Sequence, residues 1–266
     1  MRAPTEALTT FSQLDRGMAC LASLVLPRSD NETVWSDDGH KKHAALEAAT
    51  LGARYEDIRA RAPDTMSDAE LLALVEAWAA FRKEQRLVPI SGFPLAEVTL
   101  GVDPINEVVR LVGAGLGRKY VSGPGELVGT ADYFWLQDGV LTVLDLKFGN
   151  PRNGKNPKTT WQLRGLGTTL WQWFDRPPAG CNLMLWYPRE GLKPRTYHAT
   201  PMEMEGWIRD EAAWMRVAGR VVTGELDAEP QRNPECFFCP SKPHCPLWRN
   251  VNGKWVYVPP TTVLPR

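Results

Sequence analysis

Apolar positions recur along this chain in two rhythms, and the change from one to the other divides it. Phe11, Leu14, Met18, Cys20, Leu21 and Leu24 predict a helix from Phe11 to Leu24, stopped by Pro27. Asp37-Asp38-Gly39 opens a second helix through about Leu51, with acids in the first turn where the helix dipole favours them. Ser67-Asp-Ala-Glu70 is a capping box, and the helix it starts runs to about Gln85 with Leu71, Leu72, Leu74, Val75, Trp78 and Phe81 on its buried face. From residue 95 the apolar runs shorten. Leu95–Val102 reads as a first strand, and Ile105–Leu111 as a short helix. Leu127–Leu136 and Leu141–Phe148 read as two strands joined through Gln137-Asp138-Gly139, since Asp-Gly between such runs is a strong hairpin signal. Thr160–Phe174 is predicted helical. Cys181–Tyr187 is apolar enough for a buried strand, with Arg195–Ala199 beside it. Thr200-Pro-Met-Glu203 is a second capping box with Pro at the first helical position, opening a helix to about Val222. The prediction is one α/β domain with a mixed central sheet flanked by helices: a helical segment over 11–94, a core over 95–222 and a cysteine-bearing segment over 223–266.

Composition narrows the classes. A chain of 266 residues can bury a core of one-domain size. Its 31 basic and 31 acidic residues cancel, so any nucleic-acid surface must be a local patch offset elsewhere. Eleven Trp are read mainly as core, with stacking faces as the other use. No run of about 18 apolar residues predicts a membrane span, and the first residues do not read as a secretory leader. Five cysteines, an odd count, do not suggest a secreted disulfide framework, so a cytoplasmic setting is expected. There is no internal repeat and no G-x-x-x-x-G-K-[ST] loop, which excludes a nucleotide-hydrolysing motor of that type.

The candidate chemistry begins on the predicted hairpin. Asp145 and Lys147 share a strand face by alternation, and Asp132 lies across from them. Two carboxylates beside an ammonium suit Mg²⁺ or Mn²⁺; the plain alternative is solubilising charge on an edge strand. Both aspartates sit inside apolar runs, where unpaired charge is costly, and this favours a site. The loop after the second strand carries Arg152, Lys155 and Lys158, placed for phosphate contacts, and Gln162 and Arg164 follow on the next helix. His40 and His43, each taken alone, are ordinary exposed helix residues. Near the end, Cys236-x2-Cys239-x5-Cys245 reads as metal ligation with one ligand missing. Zn²⁺ with His244 or Cys20 as the fourth ligand is one completion, and an iron–sulfur cluster is the other. Cys181 reads as core.

The ordered set Gly129-x-x-Asp132, hairpin, Asp145-x-Lys147 and a following helix with Gln162 resembles the PD-(D/E)xK nuclease superfamily in its RecB-type exonuclease branch, to which phage-encoded and CRISPR-adaptation exonucleases belong. The resemblance implies a restriction-endonuclease-like core. It implies that Gly39-x-x-x-His43 supplies His43 as a ligand to the divalent ion with Asp132, Asp145 and the Leu146 carbonyl, and that Lys147 orients the attacking water. Glu97 is a second-tier candidate, because many relatives carry Glu on that strand. Gln162 matches the helix motif, while Leu166 stands where relatives have Tyr. The subfamily with an iron–sulfur segment completes its ligand set with a distant N-terminal Cys, so Cys20 with Cys236, Cys239 and Cys245 is expected to hold a 4Fe–4S cluster. The implied function is a Mg²⁺- or Mn²⁺-dependent DNA exonuclease acting at a DNA end, single-stranded by preference. Two other classes remain: a DNA-end-binding subunit of a recombination or CRISPR-adaptation complex with little turnover, and a structural protein clipped by zinc. The tail from Trp248 is expected to pack back across the domain.

Overall fold

The computed structural model describes residues 10–27, 34–87, 96–114, 125–151, 155–233, 236 and 239–258. Its helices are α1 (Leu14–Ala19), α2 (Val34–Thr50), α3 (Tyr55–Arg59), α4 (Asp68–Glu84), α5 (Trp161–Trp173) and α6 (Pro201–Val222). Its strands are β1 (Ala96–Asp103), β2 (Val108–Ala114), β3 (Leu127–Gln137), β4 (Val140–Leu146), β5 (Cys181–Trp186), β6 (Arg195–Ala199), β7 (Trp248–Val251) and β8 (Lys254–Tyr257). The first six strands form one mixed sheet in the order β2-β1-β3-β4-β5-β6, and β7 and β8 pair separately. Only β4 and β5 are parallel within that sheet, and α5 is the crossover such a pair requires. The predicted α/β architecture is therefore present. Both capping boxes form as read, at Ser67 and at Thr200. The β3–β4 turn places Asp138 at φ 51° and Gly139 at φ 75°, the left-handed pair that a two-residue hairpin needs.

Each face of the sheet carries its own apolar layer. On one, Val98, Leu100, Val143, Leu183 and Leu185 pack under α5, α6 and the segment around Phe11. Phe11 is wedged where Gly129 of β3 and Gly165 of α5 leave room; a methyl at either glycine would run into its ring. On the other face, Tyr133, Leu144, Leu146 and Trp186 pack under Leu46 of α2 and Trp78 and Phe81 of α4. Thr50, at the end of α2, joins that layer through hydrogen bonds with Trp78 Nε1 (2.9 Å) and Tyr133 Oη (3.1 Å).

Four expectations are corrected. The helix over 11–24 is broken: a 3₁₀ turn at Phe11–Gln13, α1, then Cys20 extended at φ −158° and a second 3₁₀ turn at Leu21–Leu24. The tail causes the interruption, because Asn233 Nδ2 donates to the Ala19 carbonyl and the Gln231 N–H to Cys20 Sγ. The short helix at Ile105–Leu111 is instead a turn followed by β2. Asp103 accepts from the Ile105 and Asn106 N–H groups, which closes the turn. Arg110 Nε and Nη2 then bind Glu126, both at 2.6 Å. Helix α2 begins at Val34, a turn earlier than the acidic signal at Asp37. Residues 248–257 form the largely exposed β7–β8 ribbon instead of lying flat across the domain, with Trp248 at its base against the cysteine cavity, and residues 259–266 of the tail lie outside the described residues.

Candidate metal centre and cysteine cavity

The first site forms where the sheet splits. The β3–β4 ladder runs from Gln137↔Val140 to Tyr133↔Leu144. Beyond it the Leu146 N–H donates to Asp132 Oδ2 at 2.7 Å, so a carboxylate takes the place of a ladder carbonyl. On both neighbouring strands the facing also changes here. Val98 and Ala131 belong to the layer under α5 and α6, whereas Ala96 and Tyr133, two residues along, belong to the layer under α2 and α4. The residues in between are Glu97 and Asp132. Glu97 has φ 54°, a left-handed backbone that costs a side-chain-bearing residue about 1–3 kcal/mol. Strain of this kind persists where the surrounding structure holds a functional group in place.

Across this split lies α2. Leu46 and Thr50, one and two turns beyond His43 on the same helix face, dock into the aromatic layer. Their docking sets His43 Nδ1 3.5 Å from Asp132 Oδ2, and the His43 ring meets Phe148 edge-on at 5.0 Å. One ligand atom each from His43, Glu97 and Asp132 lies within 4.8 Å of the others. His43, not His40, is the imidazole brought to the site; His40 lies exposed on α2. Glu97, a second-tier candidate by sequence, stands in the compact group. Asp145 stands beside it instead, bonded to Lys147 Nζ at 2.6 Å.

The charges are buried. Asp132, Asp145 and Glu97 are 3 %, 5 % and 9 % exposed. Burial pushes the Asp145 carboxyl above its usual range; Lys147 pulls it down and Asp132 adds to the rise. For Lys147 burial works to lower the ammonium pKa, but Asp145 and Asp132 outweigh it and the group is held charged. Among the described residues, three carboxylates gather here with Lys147 and His43, and buried negative charge is costly without positive charge close by. Carboxylate oxygens with an imidazole suit Mg²⁺ or Mn²⁺, so this donor set fits a divalent ion.

The other predicted contacts are dispersed. Arg152 lies outside the described residues. Lys155 Nζ pairs with Asp15 at 2.6 Å, and Asp15 also accepts from the Trp161 N–H at the start of α5. Lys158 sits 4.7 Å from the Tyr197 ring centre and 3.7 Å from Glu203. Arg164 is buried, with its guanidinium between the rings of Trp161 (3.7 Å) and Trp207 (4.5 Å), and burial lowers its pKa. Expected to meet phosphate, it serves the α5–α6 packing instead. Gln162 is half-buried on the first turn of α5. The one site residue that sequence reasoning undervalued is Glu97. A Glu inside the apolar run Leu95–Val102 was its signal.

The second site is a cavity of about 340 Å³ that includes open solvent, lined by Cys20, Cys236, Cys239 and Cys245 together with Arg16, Lys242 and Trp248. Cys20 reaches it because the break after α1 leaves it extended. The Gln231 N–H donates to Cys20 Sγ (3.5 Å) and the Asn233 N–H to Cys236 Sγ (3.4 Å). Burial raises the Cys245 thiol pKa, and the three other thiols push it further the same way. Four sulfur donors around one cavity, two of them already accepting N–H groups, fit a sulfur-ligated metal group. Cys181 is fully buried on β5, and burial keeps its thiol protonated.

Among the described residues no helix is long and apolar enough to cross a membrane. No protein-family model matches this chain, and no curated protein matches it either.

Proposed function

We propose that this chain is a divalent-metal-dependent deoxyribonuclease, an exonuclease that hydrolyses phosphodiester bonds from a DNA end with a preference for single strands. One observation carries the reading: ligand atoms of His43, Glu97 and Asp132 within 4.8 Å of one another, beside the Asp145–Lys147 pair, at a break in the sheet. His43, Glu97, Asp132 and Asp145, with the Leu146 carbonyl, would hold Mg²⁺ or Mn²⁺. When bound, such an ion lowers the pKa of water and offsets charge on phosphate oxygens.

The chain's own residues do the rest. Lys147, kept charged by Asp145, donates to the attacking water or to a phosphate oxygen. Asp132 is held by the Leu146 N–H, so its carboxylate keeps one orientation. Water oxygen bonds to phosphorus as the bond to the leaving ester oxygen breaks. The products are a phosphate monoester and a hydroxyl. Gln162, at the start of α5, is a candidate to hold that water or a phosphate oxygen. Cys20, Cys236, Cys239 and Cys245 would carry a 4Fe–4S cluster, which staples the C-terminal segment to the N-terminal one.

The test is incubation of the protein with end-labelled linear and with circular single-stranded DNA in Mg²⁺, Mn²⁺ or chelator. Release of label from linear DNA only, abolished by chelator, is expected. Intact DNA in both metals removes the enzyme reading; cut circles replace exonuclease by endonuclease. Iron and labile-sulfide assay of anaerobically purified protein tests the cluster, and one tight zinc without sulfide excludes it.

A further inference from the structure

The balanced net charge of this chain conceals an uneven distribution. From Cys236 to Arg266 there is no Asp or Glu, while Lys242, Arg249, Lys254 and Arg266 fall in that stretch. The β7–β8 ribbon lies inside it. In its register Trp248 opposes Tyr257 and Asn250 opposes Trp255, so Trp248, Trp255 and Tyr257 share one face; Arg249, Val251, Lys254 and Val256 share the other. Trp248 and Tyr257 pack edge-on at 5.9 Å, and their rings are covered by Lys242 (4.8 Å) and Arg232 (4.4 Å). Trp255, further out on that face, is 38 % exposed, and Val251 and Val256 on the reverse are 50 % and 47 % exposed. A small ribbon that leaves an indole and two valines in water among cations has the make-up of a contact surface.

We propose that the β7–β8 ribbon binds single-stranded DNA, with Trp255 as a stacking platform for a base and Lys242 and Arg232, the cations over the rings that share its face, as phosphate contacts. An exposed ring beside cations is the combination that grips a single strand without reading its sequence. A stretch without acids is also complementary to phosphate. The identity of the strand rests on the nuclease reading above; the surface itself rests on the ribbon's charge and exposure. It assigns to the C-terminal segment a substrate contact built from residues other than the cysteines.

The experiment measures anisotropy of a labelled single-stranded oligonucleotide in chelator with the full-length, cluster-loaded protein, across a salt series, alongside cleavage in Mn²⁺. Trp255→Ala is expected to weaken binding about tenfold, and Trp255→Phe, which keeps a ring, less than that. Lys242→Ala with Arg232→Ala is expected to flatten the salt dependence by about 1.4, roughly 0.7 for each lost phosphate contact. Asp132→Asn is expected to stop cleavage and keep ribbon-dependent binding. Circular dichroism and retained iron check that each variant is folded. If wild type binds and cuts while the folded Trp255 and Lys242/Arg232 variants match it, the ribbon proposal is overturned and the nuclease reading stands. If wild type neither binds nor cuts single strands, both fall. If it binds through the ribbon without cutting, only the nuclease reading falls.

Discussion

The metal centre at the sheet split and the cysteine cavity are both sets of would-be ligands, yet they are built in opposite ways. The first is made by the core. His43, Glu97, Asp132 and Asp145 project from a helix and three strands whose other side chains are buried in the main layers, so the site is in place once the sheet and α2 have packed. The second joins segments far apart in sequence, 211 positions from Cys20 to Gln231, through a few polar contacts. Ser241 Oγ donates to the Leu26 carbonyl, and Leu247 is buried, but among the described residues there is no apolar layer of comparable extent. Hydrophobic burial can preform hard-ligand geometry. Closing a very long loop with little burial needs strong bonds at the junction itself, and the proposed sulfur–metal bonds would supply that. The two sites should therefore fail differently.

The largest expected effect falls on the metal centre. Asp132→Ala or Lys147→Ala should lower the cleavage rate by about 10³-fold or more, roughly 4 kcal/mol of barrier, in protein that still folds. Turnover of labelled DNA and calorimetry check it, and retained activity in both variants breaks the assignment. The next concerns the helix pair between the regions. Glu211 of α6 is buried against Thr168 of α5, and burial raises its pKa from 4.5 to about 8. The fold thus favours the protonated acid. Its contribution is full below pH 4.5 and is lost as pH rises through about 8. Forced ionisation costs about 4–5 kcal/mol, so Glu211→Gln should remove this pH dependence and stabilise the protein at pH 9. Melting curves from pH 5 to 9 for both proteins decide it; parallel curves refute it.

Third, Cys239→Ser should free the segment after residue 223, a loss of about 5 kcal/mol by the loop it no longer closes. Limited proteolysis should then cut there first and leave the sheet intact. Simultaneous loss of sheet and tail would show the two regions to be one cooperative unit. The smallest effect probes how α2 positions His43. Thr50→Val removes partners of Trp78 and Tyr133, for about 1–2 kcal/mol of stability, and should weaken metal affinity while every ligand residue remains. Metal titration by calorimetry reads it, and unchanged affinity would mean that Leu46 alone seats the helix.

Both capping boxes, the Asp-Gly hairpin, the buried strand at Cys181–Trp186 and its neighbour β6 were legible in the sequence, because each rests on short-range chemistry: a side chain reaching a backbone N–H three residues on, a turn needing positive φ, an apolar run. Asp132, Asp145, Lys147 and the three late cysteines stood out for a related reason, as charge or thiol groups in surroundings that do not explain them. Arg164 misled, since a basic residue after the hairpin reads as a phosphate contact until two indoles from different helices close over it.

Sequence by itself determined most of the elements, the α/β alternation and the set of residues able to do chemistry, because propensity, capping and patterning act over a few neighbours. Tertiary structure alone decided that Glu97 joins His43 and Asp132, that Cys20 is extended rather than helical, and that residues 248–257 form a ribbon of their own. Each of those outcomes depends on contacts between distant segments. β1 turns over at Glu97 beside the same change in its neighbour β3 at Asp132, and α1 ends at Ala19, whose carbonyl is taken by a side chain 214 positions later.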